Sequence, residues 1–297
     1  MVNVVLGLLG VLLLYYLFFW IRDLMANKSD LGYGSWVVNF IIGAVTNFFD
    51  TLGIGSYATT TMALSVTKQL KNDKLLPGTL NVADTIPVMI EAFIFITVVK
   101  VEAVTLFALI IAAIAGAVVG GRLVPKLPEK KVQTYLGIAL ILTALLMLSK
   151  QLGLMTALGT GNTAMGLEGV KLVIGIVGNF FFGALMTIGC GLYAPCMAMV
   201  YMLGLNPIVA FPVMMASCAA LMPVASKEFI CASDYARKVA LAICIGGIPG
   251  VIIAAKFVVS MDLNLLTWLV IVVVIYTGCY YFRKGLKNPG TPSEPAA

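Results

Sequence analysis

The sequence predicts an all-α polytopic membrane protein: an N-terminal helix plus two inverted repeats, each a glycine-tipped helical hairpin followed by three spanning helices. Composition, the spacing of the apolar segments and a motif that recurs about 134 residues later predict it. Of 297 residues, 61% are hydrophobic and only 11% charged, whereas a soluble domain carries about 45–50% and about 25%. The net charge of +6 then reports loop orientation, and no nucleic-acid partner is expected. The chain has no histidine, and its six cysteines show no CxxC spacing. Metalloenzyme and haem chemistry therefore lose their usual ligands, and neither cofactor nor enzymatic activity is expected.

The first apolar run, Val2 to Ile21, has no basic residue ahead of it and no small-residue cleavage site behind it. It is expected to stay as a transmembrane helix within residues 1–30, closed by an interfacial aromatic anchor, LFFWIRD. Residues 31–150 form the first repeat. Its short segments, Ser35–Asp50 and Ser56–Leu70, turn at Gly53 and Gly55, and Thr79–Val99, Glu102–Val124 and Val132–Lys150 span. An external loop, 151–169, leads to the second repeat, 170–284. There Val170–Met186 and Leu192–Leu203 turn at Gly189 and Gly191, and Pro207–Ala225, Lys238–Val259 and Leu263–Phe282 span. The tail, 285–297, is polar and proline-rich.

Basic residues test whether each short pair returns to the side it entered. With two hairpins, 15 of the 19 Lys and Arg gather on one side, leaving only Lys100, Lys150, Lys171 and Lys256 on the other. Reading each pair as one broken span divides them 11 to 8. The positive-inside rule therefore selects hairpins, or two short crossings of the same parity, over single broken spans, with the N-terminus outside and the C-terminus cytoplasmic.

The repeat is legible in three stretches. GAVTNFF (Gly43–Phe49) matches GIVGNFF (Gly175–Phe181), TLGIGSYA (Thr51–Ala58) matches TIGCGLYA (Thr187–Ala194), and AIAGAVVGGRLV (Ala113–Val124) aligns with GIPGVIIAAKFV (Gly247–Val258). Three spans per copy force the copies into opposite orientations, and such inverted repeats with interrupted helices point to a secondary transporter with its site at the repeat interface.

The turns carry the expected substrate site. A helix that starts inside the membrane presents unpaired N–H groups and a positive dipole end, which suits an oxyanion. The substrate-binding candidates are Asn47, Thr51, Gly53, Gly55, Ser56 and Tyr57 in the first copy and Asn179, Thr187, Gly189, Cys190, Gly191 and Tyr193 in the second. The same glycines also suit plain close packing of helices. Asn47 and Asn179 suit either substrate or opened backbone, and Cys190 either a sulfur substrate or an inert filling role. Intramembrane acids are costly and mark function. Asp50, Asp84 and Glu91 are the candidates for proton or sodium coupling; the competing readings are a backbone partner for Asp50, an interfacial cap for Asp84 and pairing with a cation for Glu91. Arg122 and Lys256, matched across the repeat, either guide anions at the two mouths or snorkel.

The glycine turns TLGIGSYA and TIGCGLYAP within about 260 residues of apolar helices resemble the TauE/SafE family of sulfite-exporter-type anion permeases. The resemblance covers nearly the whole chain after the first helix. It implies transport of a small sulfur-containing or organic anion, of the sulfite or sulfonate class, across a bacterial-type inner membrane. Thr59 stands where the second copy has Pro195, a departure from the family pattern that bears on substrate. A channel, an intramembrane enzyme and an assembly factor are the alternatives. The expected partners are the anion, membrane lipid, a coupling proton or sodium ion and, in a homodimer, a second copy.

Overall fold

A computed structural model describes residues 2–52, 55–95, 101–154, 161–189, 191–206, 209–257 and 264–287. Among these residues the fold is helical, with no strand beyond one isolated bridge, Ala164 to Leu205. Gly53, Cys190, Lys100 and the tail beyond residue 287 lie outside the described residues.

Eleven α-helices follow in order among the described residues: α1 (Val2–Ala26), α2 (Trp36–Thr51), α3 (Ser56–Val66), α4 (Leu76–Phe95), α5 (Ala103–Leu123), α6 (Glu129–Gln151), α7 (Gly169–Met186), α8 (Tyr193–Met202), α9 (Ala210–Cys231), α10 (Arg237–Phe257) and α11 (Asn264–Lys287). Six of them are long and apolar enough to cross a membrane: α1, α5, α6, α7, α9 and α10. The chain is a multi-pass membrane protein by that measure. α7 has 18 residues, enough to cross by itself, so the expectation that it is too short fails on length alone. α4 is as long as a span, but Asn81, Asp84, Thr85 and Glu91 dilute its hydropathy.

The central helix is α9, 83% buried over its apolar window, while α1 at 22% runs along the outside. Asp23 at the end of α1 grips Arg237 at the start of α10 through two bonds, 2.8 and 2.9 Å, a bidentate geometry that fixes orientation as well as charge. At the same end of the bundle Arg122 meets Glu228 at 3.4 Å and Lys284 meets Asp73 at 2.7 Å. Burial between α9 and α10 pushes the Asp234 carboxyl up to about 6, against the pull of Lys74.

Two helix pairs fold back so that their outer ends meet. Gln69, just past α3, accepts at Oε1 from the Ser35 N–H (2.8 Å) and from Asn39 Nδ2 (3.0 Å) at the start of α2. In the other pair, Asn162 Nδ2 donates to the Tyr201 carbonyl and the Asn206 N–H to the Ala164 carbonyl, both at 2.8 Å. Each pair also lies beside a later or earlier helix: the Lys238 N–H donates to the Leu31 carbonyl at 3.0 Å, and the Leu167 N–H to Thr105 Oγ1 at 2.7 Å.

Helices touch backbone to backbone where small residues allow it. A Cβ on Gly43 would strike the Ile243 carbonyl, and one on Gly246 that of Phe40, so α2 and α10 meet without side chains between them. Gly116 against Phe180 and Gly183 against Ala113 do the same for α5 and α7. Gly137, Gly278 and Gly285 line the seam of α6 with α11. Gly183→Val should therefore overpack that contact, costing about 1–3 kcal/mol. A lower unfolding temperature in detergent checks it, with Gly7→Val, which meets nothing within 4 Å, as the control expected to behave as wild type.

Candidate functional site

The turns of the two pairs come together around one cavity. Its lining includes Asp50, Gly55, Ser56 and Tyr57 from the first pair and Met186, Gly191, Leu192 and Tyr193 from the second; Val88, Thr143, Met147, Lys150 and Cys218 complete it. About 50 Å³ is open to the centres of water-sized groups, room for a small ion with a few waters.

The first turn is closed by a carboxylate. Gly55 sits at φ 96°, a left-handed value that disfavours any Cβ, and the chain re-enters a helix at Ser56. Gly55 supplies no side-chain cap. Asp50 does so from six residues upstream: its Oδ1 accepts the Ser56 N–H at 2.8 Å and its Oδ2 accepts Ser56 Oγ at 3.0 Å. The groups expected to receive an anion are thus held by an acid of the chain itself, so Ser56 stands as a partner of Asp50. Thr60 Oγ1 donates to Thr46 Oγ1 at 2.9 Å and ties the two helices together further from the turn.

The second turn has no such acid. Gly189 takes φ 108°, α8 starts at Tyr193, and no side chain caps it. Gly191 has no left-handed φ and a Cβ there would meet nothing within 4 Å. Met186, aligned with Asp50, contributes sulfur to the cavity wall beside Cys218, Sγ to Sδ 3.7 Å.

Glu91, two turns beyond Asp84 on α4, joins the pairs. Its Oε1 accepts from Thr51 Oγ1 at 2.6 Å and its Oε2 from the Tyr193 hydroxyl at 3.1 Å. Hydroxyls stand where a cation was the competing expectation. Asp84 is fully buried and accepts from Asn47 Nδ2 at 3.1 Å; it lies within α4, away from the helix end where a cap would sit. Asn47 also donates to the Gly43 carbonyl at 3.1 Å. Its counterpart Asn179 donates to Ser217 Oγ at 3.0 Å and to the Leu109 carbonyl at 2.7 Å. Both amides serve helix contacts, and neither lines the cavity. Thr187 turns back to the Ala184 carbonyl at 2.6 Å. Arg122 pairs with Glu228 at the bundle end, and Lys256 is exposed near the end of α10.

Sequence reasoning missed Lys150, Thr143, Met147, Val88 and Cys218, and did not propose Met186 or Leu192 as site residues. For Lys150 one signal existed: it was among the four basic residues left on the minority side. It ends α6 at the mouth of the cavity and is the one cation among the lining residues described. The cavity wall thus carries one carboxylate, Asp50, and one ammonium, Lys150.

The chain matches no protein-family model, no curated protein and no solved structure.

Asp50→Ala should strip both acceptors from Ser56 and destabilise the fold by about 2 kcal/mol, as loss of a charged cap does. Asp50→Asn, which keeps one carbonyl acceptor, should lose less. Thermal unfolding of the two variants beside wild type measures the difference, and equal stabilities for all three would contradict the capping role.

Proposed function

We propose that the protein is a secondary transporter carrying a small, sulfur-containing or organic anion across the inner membrane, with its site between the turns of two re-entrant hairpins. The observation that carries this reading is a cavity lined by residues of both glycine turns and by Lys150. The uncapped start of α8, Gly191 and the Lys150 ammonium suit an oxyanion. The geometry favours the second turn over the first, because Asp50 already fills the first. Asp50 in the cavity wall, with Asp84 and Glu91 buried behind it, suits a coupling cation, whose arrival would offset the repulsion between carboxylates and substrate.

Support for the inverted repeat comes from how helices exchange partners. α2 packs on α10 as α7 packs on α5, α4 on α10 as α9 on α5, and α3 on α11 as α8 on α6; α4 with α9 and α6 with α11 pair with their own counterparts. The bond of Asn47 to Asp84 has its echo in Asn179 to Ser217. α5 starts beside the second pair and ends at Arg122, bonded to Glu228 near the start of α10, where the first pair begins. The two pairs thus enter from opposite ends of the bundle. No nucleotide-binding loop occurs in the sequence, so an ion gradient or the anion's own gradient supplies the driving force.

Counterflow of labelled sulfite, sulfonates and carboxylates in proteoliposomes tests the activity. We expect exchange of one class of small anion, reduced at least tenfold by Gly191→Val, which adds bulk to the cavity without backbone strain, and by Lys150→Gln. Undiminished exchange in both variants would remove the site from between the turns. Topology is checked separately by cysteine accessibility: Lys68→Cys and Lys131→Cys should label from the cytoplasmic face alone. Labelling from opposite faces is incompatible with inverted repeats.

A further inference from the structure

Asn47 and Asp84 touch, yet each leaves an oxygen without a partner. Asn47 Nδ2 donates to Asp84 Oδ1 at 3.1 Å, while Asn47 Oδ1 and Asp84 Oδ2 are buried from solvent and accept nothing. Both residues are 0% exposed. No ion pair includes Asp84 among the described residues. The hydroxyl of Tyr57, on the first turn of α3, is a third buried oxygen without a partner, and Ser56 beside it is bonded to Asp50. Oxygens left this way cost free energy, and a carboxylate in the apolar interior costs most.

What would satisfy them is set by their kind. Asn47 Oδ1 and Asp84 Oδ2 are hard acceptors, one carrying a formal charge and one an amide dipole, and neither accepts from a donor around it. A single monovalent cation balances the one carboxylate that has an oxygen unserved, since Asp50 and Glu91 have theirs bonded to Ser56, Thr51 and Tyr193. Carboxylate and carbonyl oxygens select hard cations over soft ones. In the second half the same place holds Asn179 and Ser217, which lack the charge, so only the first half offers such a place.

We propose that a sodium ion binds between Asn47 Oδ1 and Asp84 Oδ2. Its role as the coupling ion rests on the transporter reading above, whereas its binding stands on the side chains alone. Loaded, the ion neutralises Asp84 next to the turn that Asp50 caps.

The test needs no substrate. Purified protein in detergent, at constant ionic strength in choline chloride, is titrated with NaCl and its unfolding midpoint followed. A ligand that binds only the folded state raises that midpoint, here by about 5 °C once sodium is well above its dissociation constant. KCl should give less than half that shift. Asp84→Asn retains an acceptor for Asn47 Nδ2, so it should unfold cooperatively but without a sodium response; Asn47→Ala should lose at least half of the response. Direct binding of radioactive sodium to wild type should saturate near one ion per chain, which keeps the question open to test should a variant misfold. No sodium response in wild type, an equal one with potassium or choline, or an undiminished one in Asp84→Asn would overturn the site, as would stabilisation by acid alone. Sodium binding with no anion counterflow would instead discard the anion reading and leave this site standing.

Discussion

The Glu91 carboxylate, held by a hydroxyl from each turn, is the contact on which the site depends. A buried carboxylate is expensive unless its oxygens are satisfied, and here Thr51 and Tyr193 satisfy one oxygen each. Neither hydroxyl can leave without exposing the acid to an apolar surrounding. Any motion that parts the turns must therefore change the state of Glu91, by a proton, an ion or water.

Around that link the two halves are alike in shape and unlike in chemistry. Glycines at Gly43, Gly116, Gly183 and Gly246 let matching helices meet backbone to backbone, and the Asn47 and Asn179 amides bind across to the neighbouring helix in the same manner. The differences are electrical. Asp50, Asp84 and Glu91 belong to the first half; in the second half Met186 is aligned with Asp50, and Ser217 takes the place of Asp84 as the partner of the matched asparagine. The shared scaffold brings both turns to one cavity, and the unshared side chains make its first-half wall charged and its second-half wall neutral.

Much of the scaffold was legible in the sequence because it depends on local quantities. Hydropathy marks α1, α5, α6 and α10, and the glycine pairs mark both turns, where Gly55 and Gly189 take positive φ. The pairing of Asp50 with Ser56 was not legible, since nothing in TLGIGSYA says how far the turn carries the acid back toward the new helix. The bond of Asn47 to Asp84 spans 37 positions and is set by packing of α2 against its neighbours. Lys150 was hidden for a related reason: the end of a span is far from a hairpin turn in sequence, and only the tertiary fold brings α6 to the cavity. Length misled at α7, whose return is fixed by the Asn162 and Asn206 bonds.

Confinement of the acids to one half has a consequence for voltage. Each unit charge crossing the whole membrane field exchanges about 2.3 kcal/mol per 100 mV, while a neutralised carboxylate exchanges none. In a carrier of the kind proposed, the resting potential would then act on the number of cations loaded beside Asp50, Asp84 and Glu91 against the single anion at the other turn. One loaded cation makes the crossing electrically silent. Two make it inward-driven, and none makes the anion's exit the favoured direction, so the polarity of transport follows from the occupancy of a few buried oxygens.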